Sequence, residues 1–265
     1  MTAIAVTIAG SDSGGGAGIQ ADLKTFSALG AYGASVVTAL TAQNTLGVQG
    51  VFDVPAPFVS AQIDSVFSDL AVDAVKIGML SRRATIEAVA EGLRRYGPRA
   101  VILDPVMVAT SGDRLIAPEA VDGLKTELLP LAHVLTPNLP EAADLLGEPP
   151  ATDEQAIIGQ GERLLALGPG AVLMKGGHAS GPESVDLLIQ RTGVLRFAGP
   201  RIATRHTHGT GCTLSSAIAA LMAKGAGLDE AVRGAKAYLD RAIAAADALV
   251  IGHGNGPVHH FPHWW

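Results

Sequence analysis

The 265-residue chain is 48% hydrophobic and 17% charged, with 32 glycines and only 4% aromatic residues. That balance supplies a large core and excludes a disordered chain, while length alone admits one large α/β domain or two small ones. A formal net charge of −6, with no basic run longer than Arg82-Arg83 or Arg94-Arg95, argues against a nucleic-acid partner.

The opening Met1-Thr2-Ala3-Ile4-Ala5-Val6 lacks a basic region and reads as a first strand, not a signal peptide. No apolar run approaches the roughly 20 residues needed to cross a bilayer, so no membrane association is expected. A single cysteine, Cys212, forbids an intrachain disulfide and a multi-cysteine zinc site. It suits a reducing compartment, and a cytoplasmic protein is expected.

In chain order, short β-branched runs read as buried strands at Ile4–Ala9, Ala34–Leu40, Ala74–Ile77, Ala100–Leu103, His133–Leu135 and Ala171–Met174. Helical patterns fall between them, near Gly18–Leu29, Pro57–Ser68, Arg83–Arg95, Pro118–Leu128, Pro140–Leu146 and Asp153–Leu167. Ser81 and Thr152-Asp153 are candidate N-caps, and Gly30, Gly97, Gly147 and Gly168 candidate stops. After Lys175 the alternation breaks. Ser184–Gln190 and Val194–Ala198, joined through Arg191-Thr192-Gly193, predict an antiparallel hairpin on the sheet edge. Two long helices follow, about Gly211–Lys224 and Leu228–Leu249. The fold class is therefore α/β, with a mostly parallel central sheet, helices on both faces and an edge hairpin. With no linker or repeat, one domain over 1–265 is expected.

Familiar phosphate-binding devices are absent. No lysine follows a glycine, so there is no P-loop ending. Gly14-x-Gly16 leads to Ile19 and Gly209-x-Gly211 to Leu214, so neither completes a dinucleotide fingerprint. The most informative stretch is instead His206-Thr207-His208-Gly209-Thr210-Gly211-Cys212-Thr213-Leu214-Ser215-Ser216, a glycine turn opening onto an apolar helix. Free N–H groups of Gly209, Thr210, Gly211 and Cys212, with the helix dipole, would form an anion hole suited to phosphoryl transfer. Cys212 lies at its mouth. There the dipole is expected to lower the thiol pKa, so that the thiolate accepts a proton from an incoming hydroxyl. The plain alternative is an ordinary loop-to-helix turn with Cys212 as a small filler.

Gly209–Cys212 and its helix resemble the signature of the ribokinase-like superfamily. A cysteine as base, where sugar kinases generally carry aspartate, is similar to the branch of hydroxymethylpyrimidine and phosphomethylpyrimidine kinases and some related pyridoxal kinases. Further segments match in order: Ala9–Lys24, Thr38–Thr45, Lys76–Leu80, Asp104–Val108, Thr136–Ala142, Lys175–His178 and Gly254–Phe261. The resemblance covers nearly the whole chain. It implies a ribokinase-like fold, ATP and Mg²⁺ as cofactors, and a small pyrimidine alcohol and its phosphate as substrates. It also implies a homodimer, and pyridoxal as the alternative substrate.

The resemblance implies that Gly10, Asp22 and Gln43 contact substrate, and Met79 and Val106 are expected to bind it with them. It further implies that Asn138 and Glu141 organise Mg²⁺ and nucleotide phosphates. From the residues themselves, the loop after Ala9 lies at a strand's carboxyl end, where open α/β sheets bind ligands. Asp22, one turn into the next helix, reaches a polar ligand edge or faces solvent. The Gln43 amide matches the mixed donor and acceptor edge of an aminopyrimidine, or stitches a loop. Met79 packs on a flat ring or fills core. Asp104, after a strand and before Pro105, suits a metal. Asn138 and Glu141, spaced i, i+3, face one way or simply cap a helix. Lys175, before a double glycine, neutralises phosphate charge or is merely solvated. Ser111-Gly112-Asp113 reads as a cover over the site, and the histidines near the C-terminus as a surface tail. A catalytically silent ligand sensor is the rival from another class, and such a sensor would tolerate loss of Cys212.

Overall fold

A computed structural model describes residues 2–108, 115–178 and 183–265. Its described strands form two sheets. The large one has the order β10-β9-β8-β7-β6-β5-β1-β2 and contains β1 (Ile4–Ala9), β2 (Tyr32–Val37), β5 (Ala74–Ile77) and β6 (Ala100–Leu103). It continues through β7 (Val134–Leu135), β8 (Val172–Lys175), β9 (Glu183–Gln190) and β10 (Gly193–Pro200). Pairings from β2 to β8 are parallel, and β9 and β10 add antiparallel at the edge. The parallel sheet and edge hairpin expected from the sequence are present.

The small sheet, β3 (Ala39–Asn44) against β4 (Gly47–Asp53), was not anticipated. The expected strand Ala34–Leu40 breaks at Thr38, whose hydroxyl donates to the Met79 carbonyl at 2.9 Å. The chain then leaves the main sheet. A register shift between Ala42 and Gln43 further weakens its periodicity.

Helices cover both faces, as the β-α alternation requires. On one side α2 (Ala56–Phe67), α3 (Arg83–Tyr96), α4 (Pro118–Gly123), α5 (Leu139–Leu146) and α6 (Glu154–Leu165) pack on Val6, Ile8, Val75, Ile77, Val101 and Leu103. Each such fully buried aliphatic side chain contributes about 1.5–3 kcal/mol. On the other side the strands present Ala5, Ala74, Ala100 and Ala171 to α1 (Gly18–Ala28), α7 (Thr210–Ala223) and α8 (Leu228–Ala244). Small residues on the sheet meet Ala217, Ala219, Ala220 and Ala223 on α7, so backbones approach closely. The start of α7 therefore lies against the carboxyl ends of β1, β5 and β6.

Several boundaries shift for local reasons. Arg82, not Ser81, takes the N-cap position of α3, without a side-chain bond. The Ser81 hydroxyl donates to Asp53 instead. Asp153 does cap α6, accepting from Ala156 N at 2.8 Å. Gly97 and Gly147 end α3 and α5 at φ +55° and +70°, a region that favours glycine. Helix α8 stops at Ala244 rather than near Leu249. The C-terminal histidines correct the expected surface tail: His259 and His260 are buried, and His260 Nε2 lies 3.1 Å from the Thr213 hydroxyl on α7. Ser111-Gly112-Asp113 lies outside the described residues. Among the described residues no helix is long and apolar enough to cross a membrane.

Candidate active site

The carboxyl ends of β1, β5, β6 and β8 and the starts of α5 and α7 supply the candidate residues. Gly209 precedes α7 at φ +82°, and a Cβ there would sit 1.9 Å from the Gly16 carbonyl oxygen, so only glycine fits. The N–H groups of Gly211 and Cys212 have no backbone acceptor among the described residues, while Thr213 N already bonds the Gly209 carbonyl. The Thr210 N–H donates to the Thr207 carbonyl at 3.3 Å, so of the donors expected from the sequence it is not free, while those of Gly211 and Cys212 point out of the helix start.

Directly beside it lies a carboxylate–lysine cluster. A Cβ on Gly211 would be 3.3 Å from Lys175 Nζ and 3.5 Å from Asp104 Oδ2. Lys175 ends β8 and donates to Asp104 Oδ1 at 2.8 Å, with Glu141 Oε2 3.6 Å away. Asp104, nearly fully buried after β6, also accepts from Thr136 at 3.2 Å and Ser215 at 3.4 Å. Lys175 is not the solvated edge residue of the plainer reading, because β9 and β10 extend the sheet beyond it.

Charge in this cluster is uneven. Burial alone would raise the Asp104 carboxyl, but Lys175 and Lys76 hold it below its ordinary value. Burial raises the Glu141 carboxyl to about 7, with Lys175 opposing and Asp104 adding to the rise. Asn138 and Glu141 also form a reciprocal capping box on α5: Asn138 Oδ1 accepts from Glu141 N at 2.8 Å and Glu141 Oε2 from Asn138 N at 2.7 Å. The plainer reading of Asn138 and Glu141 as a helix cap holds, and the cap fixes Glu141 beside Lys175.

Cys212 corrects the expectation of a lowered pKa. Burial pushes its thiol up to about 11, while Lys76 and the Gly18 N–H pull the other way. The helix dipole, falling off within one turn, does not overcome the loss of water. The thiol therefore keeps its proton at neutral pH when the site is empty.

Asp22 does not face solvent and presents no free oxygen. Its carboxylate is fully buried, with Lys76 Nζ 2.9 Å from both oxygens, Thr7 Oγ1 2.6 Å from Oδ2 and Ser216 Oγ 2.6 Å from Oδ1. Strand β5 points Lys76 to the α1–α7 side, the same side as Ala74, and Ser216 sits one turn beyond Cys212. Asp22 is therefore placed behind the thiol. Lys76 was unread as a functional candidate, because a lysine within a four-residue strand leaves no periodic signal of burial.

Of the remaining predicted residues, the structure brings Gly10 and Met79 together, while Val106 stays beside Asp104 and Gln43 beside Ser13. A Cβ on Gly10 would lie 2.6 Å from Met79 Cε, so these two are in contact. Met79 is 9% exposed at the end of β5. Val106 follows Asp104 through a tight turn, its N–H donating to the Asp104 carbonyl at 2.9 Å. Gln43 backbone groups exchange two 2.8 Å bonds with the Ser13 hydroxyl. Its side-chain amide has no partner among the described residues and remains available.

A helix-start anion hole, a thiol at its end and an adjacent lysine–carboxylate cluster, all at the carboxyl edge of a parallel sheet, define a phosphotransferase for small molecules of the ribokinase-like class. Comparison with known proteins agrees. Residues 12–259 match the family model described as phosphomethylpyrimidine kinase. The chain is 64% identical over its whole length to the hydroxymethylpyrimidine/phosphomethylpyrimidine kinase of Rhizobium meliloti, covering 99% of it. Among solved structures it superposes on a phosphomethylpyrimidine kinase from Clostridium difficile (TM-score 0.80, 46% identity, 90% of this chain and 98% of that one). It also superposes on a Bacillus subtilis pyridoxal kinase in complex with ADP (TM-score 0.91, 36% identity, 98% of each chain). The chain belongs to the phosphomethylpyrimidine kinase family.

Proposed function

We propose that the chain acts as one kinase domain, transferring the γ-phosphoryl group of ATP to the primary hydroxyl of 4-amino-5-hydroxymethyl-2-methylpyrimidine. A second transfer to the monophosphate then gives the pyrophosphate used in thiamine synthesis. The observation that carries this reading is the Gly211–Cys212 donor pair beside Lys175, Asp104 and Glu141, at the carboxyl ends of β6 and β8. The attacking hydroxyl oxygen bonds to Pγ, and the bond from Pγ to the ADP oxygen breaks. The N–H groups of Gly211 and Cys212 hold the transferring oxygens, where charge spreads. Lys175 and Asn138 face the nucleotide phosphates. Cys212 takes the hydroxyl proton through its thiolate form, which Lys76 and the Gly18 N–H sustain in part against the burial that disfavours it.

Asp104 and Glu141 fit Mg²⁺. Two buried carboxylates share one lysine, which leaves hard oxygen ligands and uncompensated negative charge. No cluster of three or more metal-ligating side chains occurs among the described residues. That pattern suits an ion that keeps waters and binds mainly through substrate phosphates. When bound, Mg²⁺ would neutralise charge on the phosphates. A cytoplasmic homodimer completes the reading, the dimer supported by the family resemblance and the compartment by the single cysteine.

The test is ATP-dependent phosphorylation of the pyrimidine alcohol, its monophosphate and pyridoxal in parallel. Fast turnover of both pyrimidines supports the proposal. Preference for pyridoxal retains the mechanism and moves the substrate, whereas tight binding without turnover of any leaves the sensor reading.

A further inference from the structure

One buried carboxylate organises the loop that joins the substrate flank to the thiol. Asp12 is 2% exposed. Its Oδ1 accepts from Gly14 N at 2.8 Å, and its Oδ2 from Gly16 N at 3.0 Å and Ala17 N at 2.8 Å. The loop closes on itself through the Ser11–Gly18 bridge and the 3.0 Å bond from Ile19 N to the Gly10 carbonyl. Gly10 at one end touches Met79, and Gly18 at the other directs its N–H at the Cys212 sulfur.

The fourth partner of Asp12 comes from the far end of the chain. His208 Nε2 lies 2.9 Å from Oδ2, and since a carboxylate only accepts, that nitrogen carries the proton. His208 is the residue immediately before Gly209. Its own backbone is pinned on the other side, His208 N to the Gly256 carbonyl at 3.1 Å and Val258 N to the His208 carbonyl at 3.4 Å. Ring and phosphate-binding turn therefore move as one unit. Contact between the two loops is also tight: a Cβ on Gly16 would lie 2.4 Å from His208 Cδ2, and one on Gly209 1.9 Å from the Gly16 oxygen.

We propose that Asp12 and His208 are positioning residues, whose bond locks the glycine loop of residues 10–18 in register with the phosphate-binding turn at Gly209–Cys212. The inference deepens the kinase reading and rests on it. Asp12 satisfies its three amide donors within its own loop, so losing the imidazole leaves that loop folded but frees it from the turn. Gly10 and Gly18 then shift relative to Cys212 and the transferring group. Misplacement of the order of 1 Å at such a site costs about 10²-fold in rate.

The experiment compares wild type, His208→Ala, the volume-keeping His208→Leu and His208→Gln, whose amide can still donate to Asp12. Turnover of the pyrimidine alcohol and alkylation of the sole thiol, Cys212, by iodoacetamide are both followed. Expected is a kcat reduced by about tenfold to 10²-fold in His208→Ala and His208→Leu, with the KM for ATP nearly unchanged. The alkylation rate changes with it, and His208→Gln recovers most of both. A kcat within twofold of wild type in the apolar variants, or equal damage in His208→Gln, overturns the proposal. Should the wild type phosphorylate no alcohol, the kinase reading fails separately. The alkylation series then still judges the contact: variant rates equal to wild type overturn it.

Discussion

Two buried lysines at the carboxyl side of this sheet keep similar company and do different work. Lys76 on β5 is fully enclosed, and the carboxylate it pairs with, Asp22, is saturated by Lys76, Thr7 and Ser216. Lys175 on β8 keeps 13% of its side chain exposed and faces two carboxylates, Asp104 at 2.8 Å and Glu141 at 3.6 Å. The first cluster is closed and balanced, so nothing remains for a ligand to satisfy. The second is short of positive charge and opens towards the Gly211 turn. A buried ion pair alone does not mark a binding site. An unbalanced one at a strand end beside free N–H groups does.

The largest expected effect tests what lies between the two clusters. Cys212→Ala should lower kcat by about 10²–10⁴-fold, the range for losing a general base, with little change in melting temperature. Because burial holds the wild-type thiol near 11, its thiolate fraction grows roughly tenfold per pH unit between pH 7 and 9. The wild-type kcat/KM should climb with it. A flat profile over that interval, with Cys212→Ala still active, would remove the thiolate from the mechanism and leave the anion hole to act alone.

Lys76→Met breaks the closed cluster and should read first as stability. Removing one partner strands a buried carboxylate, a loss of about 3–5 kcal/mol. Chemical denaturation measures it. Lys76→Met combined with Asp22→Leu should recover part of that loss. If Lys76→Met unfolds no more easily than wild type, the cluster is not closed and Asp22 regains its place as a substrate contact.

This contrast also divides what the sequence made legible from what it hid. Parallel strands, the edge hairpin and the Gly209–Cys212 turn all rest on local signals, because apolar runs, glycine punctuation and a helix start lie within a few residues of one another. Asp104, Asn138, Glu141 and Lys175 each end a strand or begin a helix, so their convergence followed from topology. Lys76 with Asp22 is a different matter. Their separation of 54 residues and the 196 between Asp12 and His208 leave no periodic trace. The thiol's direction of shift was misjudged for a related reason: dipole position is local, whereas burial depends on the whole packing of α1, α7 and the sheet. The small β3–β4 sheet escaped because alternating exposure and a register shift disguise it beside a buried run.

The smallest effect concerns the open cluster, and there the sign is diagnostic. Folding raises the Glu141 carboxyl from an ordinary value near 4.5 to about 7. Above pH 7 the folded chain therefore holds a penalised negative charge that the unfolded chain solvates freely. As pH falls from 7 towards 4.5, the folded state takes up a proton that the unfolded state does not, and stability rises. Glu141→Gln keeps an oxygen for the Asn138 N–H but removes the charge. It should raise the melting temperature at pH 8 by a few degrees, roughly what 1 kcal/mol gives a domain of this size. Near pH 4.5 the difference should vanish. The same substitution should weaken stabilisation by MgATP, because the charge that burdens the empty site is the one a divalent cation compensates. A variant less stable than wild type at pH 8 would mean that Glu141 serves the helix cap and Lys175 before any ligand, making the second cluster as structural as the first.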